Sequence, residues 1–262
     1  SKDEAEHKAF YDKAREAYLK VFARAGIGDR TYATFASGGI FSEFSEEFQT
    51  VSEAGEDTIY IDEAKRVAVN KEVCTDEALD RLGLQRDNLI EKRAIEAGNI
   101  FHLGTRFSEP LGLMYTDETG ARKPVVMGSY GIGPTRLMGI IVEVLADGKG
   151  LVWPESVAPF AVHLVSLGKA GDEISKTADA LYDDLVKAGV EVLYDDRDSR
   201  AGEKIAESDL LGIPTRIVVG KDASITGEFE VVNRATGAVA KKSRAKLVAS
   251  CKVQGAISEK NT

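Results

Sequence analysis

The sequence predicts a two-part protein: an α+β region built on an antiparallel sheet over residues 1–153, then a compact α/β domain over residues 154–262. Three observations predict it. Before residue 150, short runs of alternating apolar and polar residues are separated by turn signals such as Gly55-Glu-Asp and Glu118-Thr-Gly, at hairpin spacing. After residue 160, strand-like and helix-like runs alternate, the pattern of right-handed βαβ units in a mainly parallel sheet. Between them, Leu151-Val-Trp-Pro-Glu-Ser-Val-Ala-Pro-Phe holds two prolines and the only tryptophan, and marks a boundary at 153/154.

Taken in order, residues 3–25 place Phe10, Ala14, Tyr18, Val21 and Phe22 on one stripe at helical spacing, and Gly26 stops the helix. Arg30-Thr-Tyr-Ala-Thr-Phe-Ala reads as a strand. A Gly38-Gly39 turn and a polar/aromatic alternation to about residue 51 follow, which predicts a strand with one wet face. On that face Glu43, Glu46, Glu47 and Gln49 either line a cleft that takes an ammonium or a nucleotide edge, or are simply solvated. Thr58-Ile-Tyr-Ile is a short strand, Ala68-Val-Asn-Lys-Glu an edge strand, and residues 75–82 a short helix within a polar segment that runs to Lys92. The run 93–109 is strand-like, and Leu113-Met-Tyr-Thr-Asp turns back at Gly120 into Val125-Val-Met. Beyond the boundary come a buried strand from Ala161, a helix over 173–188, a strand from Val190, a helix over 204–211, a strand from Thr215, a hairpin (228–232 with 239–242) and a closing helix.

Composition narrows the function classes. The 262 residues are 43% hydrophobic, enough for real cores. Cys74 and Cys251 have no CxxC partner and no histidine at ligand spacing, so they read as reduced thiols of a cytoplasmic protein, and no dedicated metal site is expected. No run of eighteen apolar residues points to a membrane. The formal charge of −9 is uneven: residues 201–262 carry 10 Lys+Arg against 7 Asp+Glu, while residues 1–200 carry 24 against 36. A local basic face is compatible with this, and so is an ordinary solvated surface.

The stretch 124–143 concentrates the chemistry. It reads as a buried strand, a glycine-rich turn through Gly128, Gly131 and Gly133, and an apolar helix whose first turn carries Arg136. Glycines let a ligand approach the backbone, and an arginine at a helix start offers a planar, permanent cation to phosphate. The same turn also serves plain strand-to-helix packing. His102, alone, is read as a hydrogen-bonded structural residue, and no Ser/His/Asp or Cys/His group supports a nucleophile. Asp195-Asp-Arg-Asp-Ser-Arg-Ala-Gly-Glu-Lys204 follows the second α/β strand at its carboxyl end, where open sheets bind ligands. Its charges equally suit a helix-start salt-bridge cluster.

Four segments in register resemble a bacterial-type prolyl-tRNA synthetase over nearly the whole chain: 96–108, 127–136, 150–160, and Tyr194-Asp-Asp-Arg with Leu211-Gly-Ile-Pro. The resemblance implies part of a class II aminoacyl-tRNA synthetase catalytic domain, its antiparallel sheet flanked by helices, followed by an anticodon-binding domain, with residues 124–143 as motif 3. It implies that Arg136 binds ATP together with the Gly133 turn, that Phe101, His102, Ser129 and Gly131 line the proline pocket, and that Asp196, Arg197, Arg200 and Lys204 are candidate anticodon contacts. Many bacterial relatives have cysteine at the place of Ser129, glutamine at that of His102 and histidine at that of Glu46. Implied with these are ATP with Mg²⁺, proline and tRNA(Pro), and a homodimer for the full-length protein.

The polar segment 74–92 is too short for the large editing insertion of many bacterial relatives, so hydrolysis of mischarged alanyl-tRNA is not expected. Motifs 1 and 2 are not among these residues, which implies a fragment that is inactive alone. A non-catalytic tRNA-binding relative is the alternative. An unrelated nucleotide enzyme using the same turn is a third reading.

Overall fold

A computed structural model describes residues 1–38 and 44–259, with side chains described through 38 and over 45–251. It divides into two compact units, Ser1–Val144 and Leu145–Thr262. The division precedes the expected 153/154 boundary because residues 147–153 are stitched to the second unit. The Leu151 amide donates to Leu210 O at 3.0 Å, the Trp153 amide to Gly212 O at 3.2 Å, and Arg234 forks onto the Asp147 carboxylate.

In the first unit, α1 (Glu4–Arg24) begins where Asp3 accepts from the Glu6 amide at 2.8 Å, satisfying one of the donors a helix start leaves open. It buries His7, Tyr18 and Phe22, whereas Phe10 and Val21, expected on the apolar stripe, are exposed, Phe10 meeting Tyr130 edge-on with ring centroids 5.3 Å apart. Tyr18 and Phe22 pack on Phe48 with ring centroids 5.0 and 5.4 Å away.

The strands are β1 (Thr31–Ser37), β2 (Phe44–Val51), β3 (Asp57–Asp62), β4 (Val67–Asn70) and β5 (Ile90–Gly104), with the short helix α2 (Asp76–Leu82) between β4 and β5. They pair β2-β1-β4-β3-β5, and β2 pairs with β5 as well, so these five close a circuit; β8 (Met127–Ile132) adds to the far end of β5. All pairings are antiparallel except β1 with β4. The supposed edge strand at residue 68 is therefore interior, and its Ala68 and Val69 are fully buried. A small hairpin, β6 (Met114–Thr116) and β7 (Arg122–Pro124), precedes β8, and α3 (Pro134–Leu145) follows it.

Gly128 and Gly131 lie inside β8 rather than in a turn; only Gly133 stands between strand and helix. A side chain is excluded at Gly128 by packing, since a Cβ there would come within 2.7 Å of both His7 Cε1 and Tyr130 Oη.

The second unit has strand order β10-β9-β11-β12-β13, from β9 (Val162–Ser166), β10 (Val192–Asp195), β11 (Thr215–Val219), β12 (Glu228–Asn233) and β13 (Val239–Ser243). The first three are parallel, and the last two form the expected hairpin, antiparallel to β11. The helices are α4 (Glu173–Lys187), α5 (Ala201–Leu211), the unexpected short α6 (Lys221–Thr226) and α7 (Arg244–Glu259). Val162, Leu164, Ile217 and Val219 on one sheet face pack with Leu181, Leu185 and Leu247 into the core. The opposite face, under α5, carries His163, Asp195 and Arg216, buried or nearly so. Among the described residues the buried Nδ1 of His163 has no hydrogen-bond partner, and burial holds this imidazole below its usual range.

Candidate functional site

The site in the first unit follows from strand alternation. Phe101 pairs with Ser129, Asn99 with Gly131, and Asn99 also with Glu47 on β2, so these residues share one sheet face. Ile100, His102, Gly128 and Tyr130 share the other face, against α1. His102 therefore does not join Phe101 and Ser129. It packs on His7 with ring centroids 4.6 Å apart, and its Nε2 lies 3.4 Å from the Glu4 carboxylate. Burial, then the charge of His102, holds the His7 imidazole below its usual range.

Glu46 is likewise on the α1 face. It is 7% exposed and salt-bridged to Arg15, and it pushes the Tyr11 phenol, already raised by burial, further up. The wet face expected of β2 is thus absent, because α1 covers one side and a polar network fills the other. Gln49, fully buried, donates from Nε2 to Glu47 at 2.9 Å and to Asp57 at 2.6 Å. Burial raises the Glu47 carboxyl, and the Glu96 and Asp57 charges add to the effect. Glu43 lies outside the described residues.

A register shift where β2 meets β5, between Phe48 and Gln49, sets Gln49 opposite Glu96. This bulge puts Glu96 on the same face as Asn99, three residues on. Asn99 Nδ2 donates to Glu96 Oε1 at 2.7 Å, and Arg136 Nη1 donates to Glu96 Oε2 at 3.0 Å. Glu96, Asn99, Gly131, Gly133 and Arg136 line an open cleft of about 310 Å³. The glycines leave its floor bare: a Cβ at Gly131 would stand 3.2 Å from Asn99 Oδ1. The sequence singled out Arg136 and the glycines but gave Glu96 and Asn99 no role, since strand alternation places residues three apart on opposite faces.

Among the described residues no three His, Cys, Asp or Glu side chains are grouped to hold a metal ion, and the carboxylates nearest the cleft are already held by Gln49, Asn99 and Arg136.

In the second unit the loop after β10 separates its four candidates. Asp196, Arg197 and Arg200 are exposed, and Arg200 is the N-cap residue of α5. Arg197 turns back onto Asp195, with bonds of 2.9 and 2.8 Å, and onto Glu207. That pairing draws the Asp195 carboxyl down to about 2. Lys204 is wholly buried, its Nζ donating to Ser166 O at 2.7 Å and Asp195 O at 3.3 Å, with Asp195 Oδ1 at 3.5 Å. The expectation of a ligand-facing lysine is corrected: the first turn of α5 aims this side chain inward, under the ends of β9 and β10. For Arg197 and Lys204 the salt-bridge reading of the loop describes the geometry.

Residues 161–254 match the family model described as an anticodon binding domain. The chain is 38% identical over 252 residues to a proline–tRNA ligase of Cereibacter sphaeroides, with 87% of this chain and 56% of that protein covered. It is 39% identical over 256 residues to one from Chelativorans sp., covering 88% of this chain and 58% of the relative. The chain thus spans little more than half the length of these curated relatives. Among solved structures it is similar to the prolyl-tRNA synthetase of Cryptosporidium parvum complexed with halofuginone and AMPPNP, with a TM-score of 0.64, 20% identity, and 92% of this chain against 43% of that one covered. The same enzyme with L-proline and AMP matches with a TM-score of 0.61 and 20% identity over 95% of this chain and 48% of that one. The chain thus shares its fold with part of these prolyl-tRNA synthetases, and its residues 161–254 are similar to an anticodon binding domain.

Proposed function

We propose that this chain works as part of a proline–tRNA ligase, supplying the Arg136 side of the ATP cleft and the domain that grips the anticodon of tRNA(Pro). The observation that carries the reading is the placement of Arg136 at the start of α3, beside a glycine-floored cleft. In the reaction the proline carboxylate attacks the α-phosphate of ATP, pyrophosphate leaves, and the terminal ribose hydroxyl of the tRNA then attacks the carbonyl carbon of the mixed anhydride, expelling AMP. This chemistry needs no side-chain nucleophile; it needs charge stabilisation and alignment.

Arg136 holds the nucleotide's phosphates, because a guanidinium fork matches phosphate oxygens and stays charged. Gly131 and Gly133 let the nucleotide lie against the backbone. Phe101 and Ser129, on the same face, form the wall on which the pyrrolidine ring packs; His102 is assigned to the support of that wall from behind. Magnesium enters bound to the ATP phosphates, where it neutralises charge, and no residue of this chain is assigned to it. The ligase works in the cytoplasm, beside its tRNA. Among the described residues no helix is long and apolar enough to cross a membrane.

Isothermal titration of the chain with ATP tests the reading. Arg136→Ala should weaken binding at least tenfold, on the order of what removing a charge-assisted phosphate contact costs. Unchanged ATP affinity in this variant would overturn it. Among the described residues Arg136 is the one cation lining the cleft, facing a tetra-anionic substrate. The 262-residue chain should accordingly show no proline-dependent ATP–pyrophosphate exchange on its own, and measurable exchange would contradict that.

A further inference from the structure

We propose that Glu96, fixed by Asn99 across the β5 bulge, is the positioning residue that holds the Arg136 guanidinium at the cleft. The inference rests on Arg136 being the arginine that meets the nucleotide.

An arginine at an exposed helix start has many rotamers, and ordering it when the ligand arrives costs binding energy. Here that ordering is done in advance. Asn99 Nδ2 holds Glu96 Oε1 at 2.7 Å, and Glu96 Oε2 receives Arg136 Nη1 at 3.0 Å; the Glu96 carbonyl lies 3.5 Å from the same nitrogen. Every bond from Arg136 to Glu96 leaves through Nη1, so among the described residues the Nε and Nη2 donors have no partner and remain for a phosphate. A bidentate grip would have consumed the fork. The exposures fit an anchor and a moving tip, since the Glu96 side chain is 27% exposed and that of Arg136 is 57%. The bulge is essential to the device, because in a regular strand Glu96 and Asn99 would face opposite sides.

The test measures ATP affinity of the full chain by isothermal titration for the wild type, Glu96→Ala, Glu96→Gln, Arg136→Ala and the Glu96→Ala/Arg136→Ala pair, with melting curves as a folding control. Glu96→Ala should weaken ATP binding about fivefold, the upper range for a partly exposed ion pair. Glu96→Gln, which keeps an acceptor for Arg136 while Asn99 turns its amide to accept from the new NH₂, should stay within about twofold of wild type. In the Arg136→Ala background the Glu96→Ala change should have no further effect.

Equal or tighter ATP binding by Glu96→Ala overturns the inference. So does an undiminished loss in the Arg136→Ala background, which would mean that Glu96 acts on its own. A loss in Glu96→Ala that Glu96→Gln fails to restore also overturns it. If Arg136→Ala binds ATP as well as wild type, or the wild-type chain binds none, the functional reading itself fails. The two failures therefore have different signatures.

Discussion

Replacing Lys204 by alanine separates a structural lysine from an RNA-contacting one. The side chain is wholly buried, and its ammonium ties the end of β9, through Ser166 O, to the end of β10, through Asp195 O. Truncation leaves two carbonyls without their donor, at roughly 1–3 kcal/mol each. It also removes the partner of a buried carboxylate at 3.5 Å and the packing of the aliphatic stem, while relieving the cost of burying the ammonium. Arg197 still holds Asp195, which keeps the loss at the level of one broken buried pair, about 3–5 kcal/mol. For a unit of this size that is a fall in melting temperature on the order of 10 °C. Lys204→Met, which retains most of the stem, should lose about half as much. The assay is thermal and urea unfolding of the chain, followed by circular dichroism, with tRNA(Pro) affinity measured below the transition. A Lys204→Ala variant within about 1 kcal/mol of wild type, or a folded Lys204→Met variant that loses tRNA binding, would refute the reasoning.

Other consequences follow from the same geometry. Gly128→Ala should destabilise the first unit by about 1–3 kcal/mol, because its Cβ meets His7 and Tyr130 at 2.7 Å, whereas Gly139→Ala, in open space on α3, should be neutral or stabilising by about 0.5–1 kcal/mol; melting curves compare them. His7 and His163 both have imidazoles lowered by burial, so the unfolded chain takes up protons first as pH falls through the ordinary histidine range, and stability should drop on the acid side of about 6.5; a flat profile from pH 7.5 to 5.5 would contradict this. Asp195, down to about 2 when folded, adds stability that is full above the ordinary carboxylate range of about 4 and is lost as pH falls towards 2. Arg200→Ala should weaken tRNA(Pro) binding and shallow its salt dependence with ATP affinity unaltered, and equal tRNA affinity at fixed salt would remove Arg200 from the interface.

The sequence alone was enough for whatever depends on near neighbours in the chain. Helical spacing of apolar residues located α1, strand–helix alternation gave α4 and the parallel core β10-β9-β11, and Gly131, Gly133 and Arg136 marked the cleft. Alternation along β5 also separates His102 from Phe101, since neighbours in a strand face opposite sides. Tertiary structure decided the rest. The burial of Glu46 and Gln49, the interior place of β4 and the packing reason for Gly128 depend on which element lies across the strand. The inward aim of Lys204 depends on where α5 settles on the sheet. The Glu96–Arg136 contact joins residues forty apart through one extra residue in a ladder. Periodicity is a local property and can be read from a chain; register, bulges and the partner of a buried charge are fixed only when distant segments meet, because their energies belong to contacts that no stretch of sequence contains by itself.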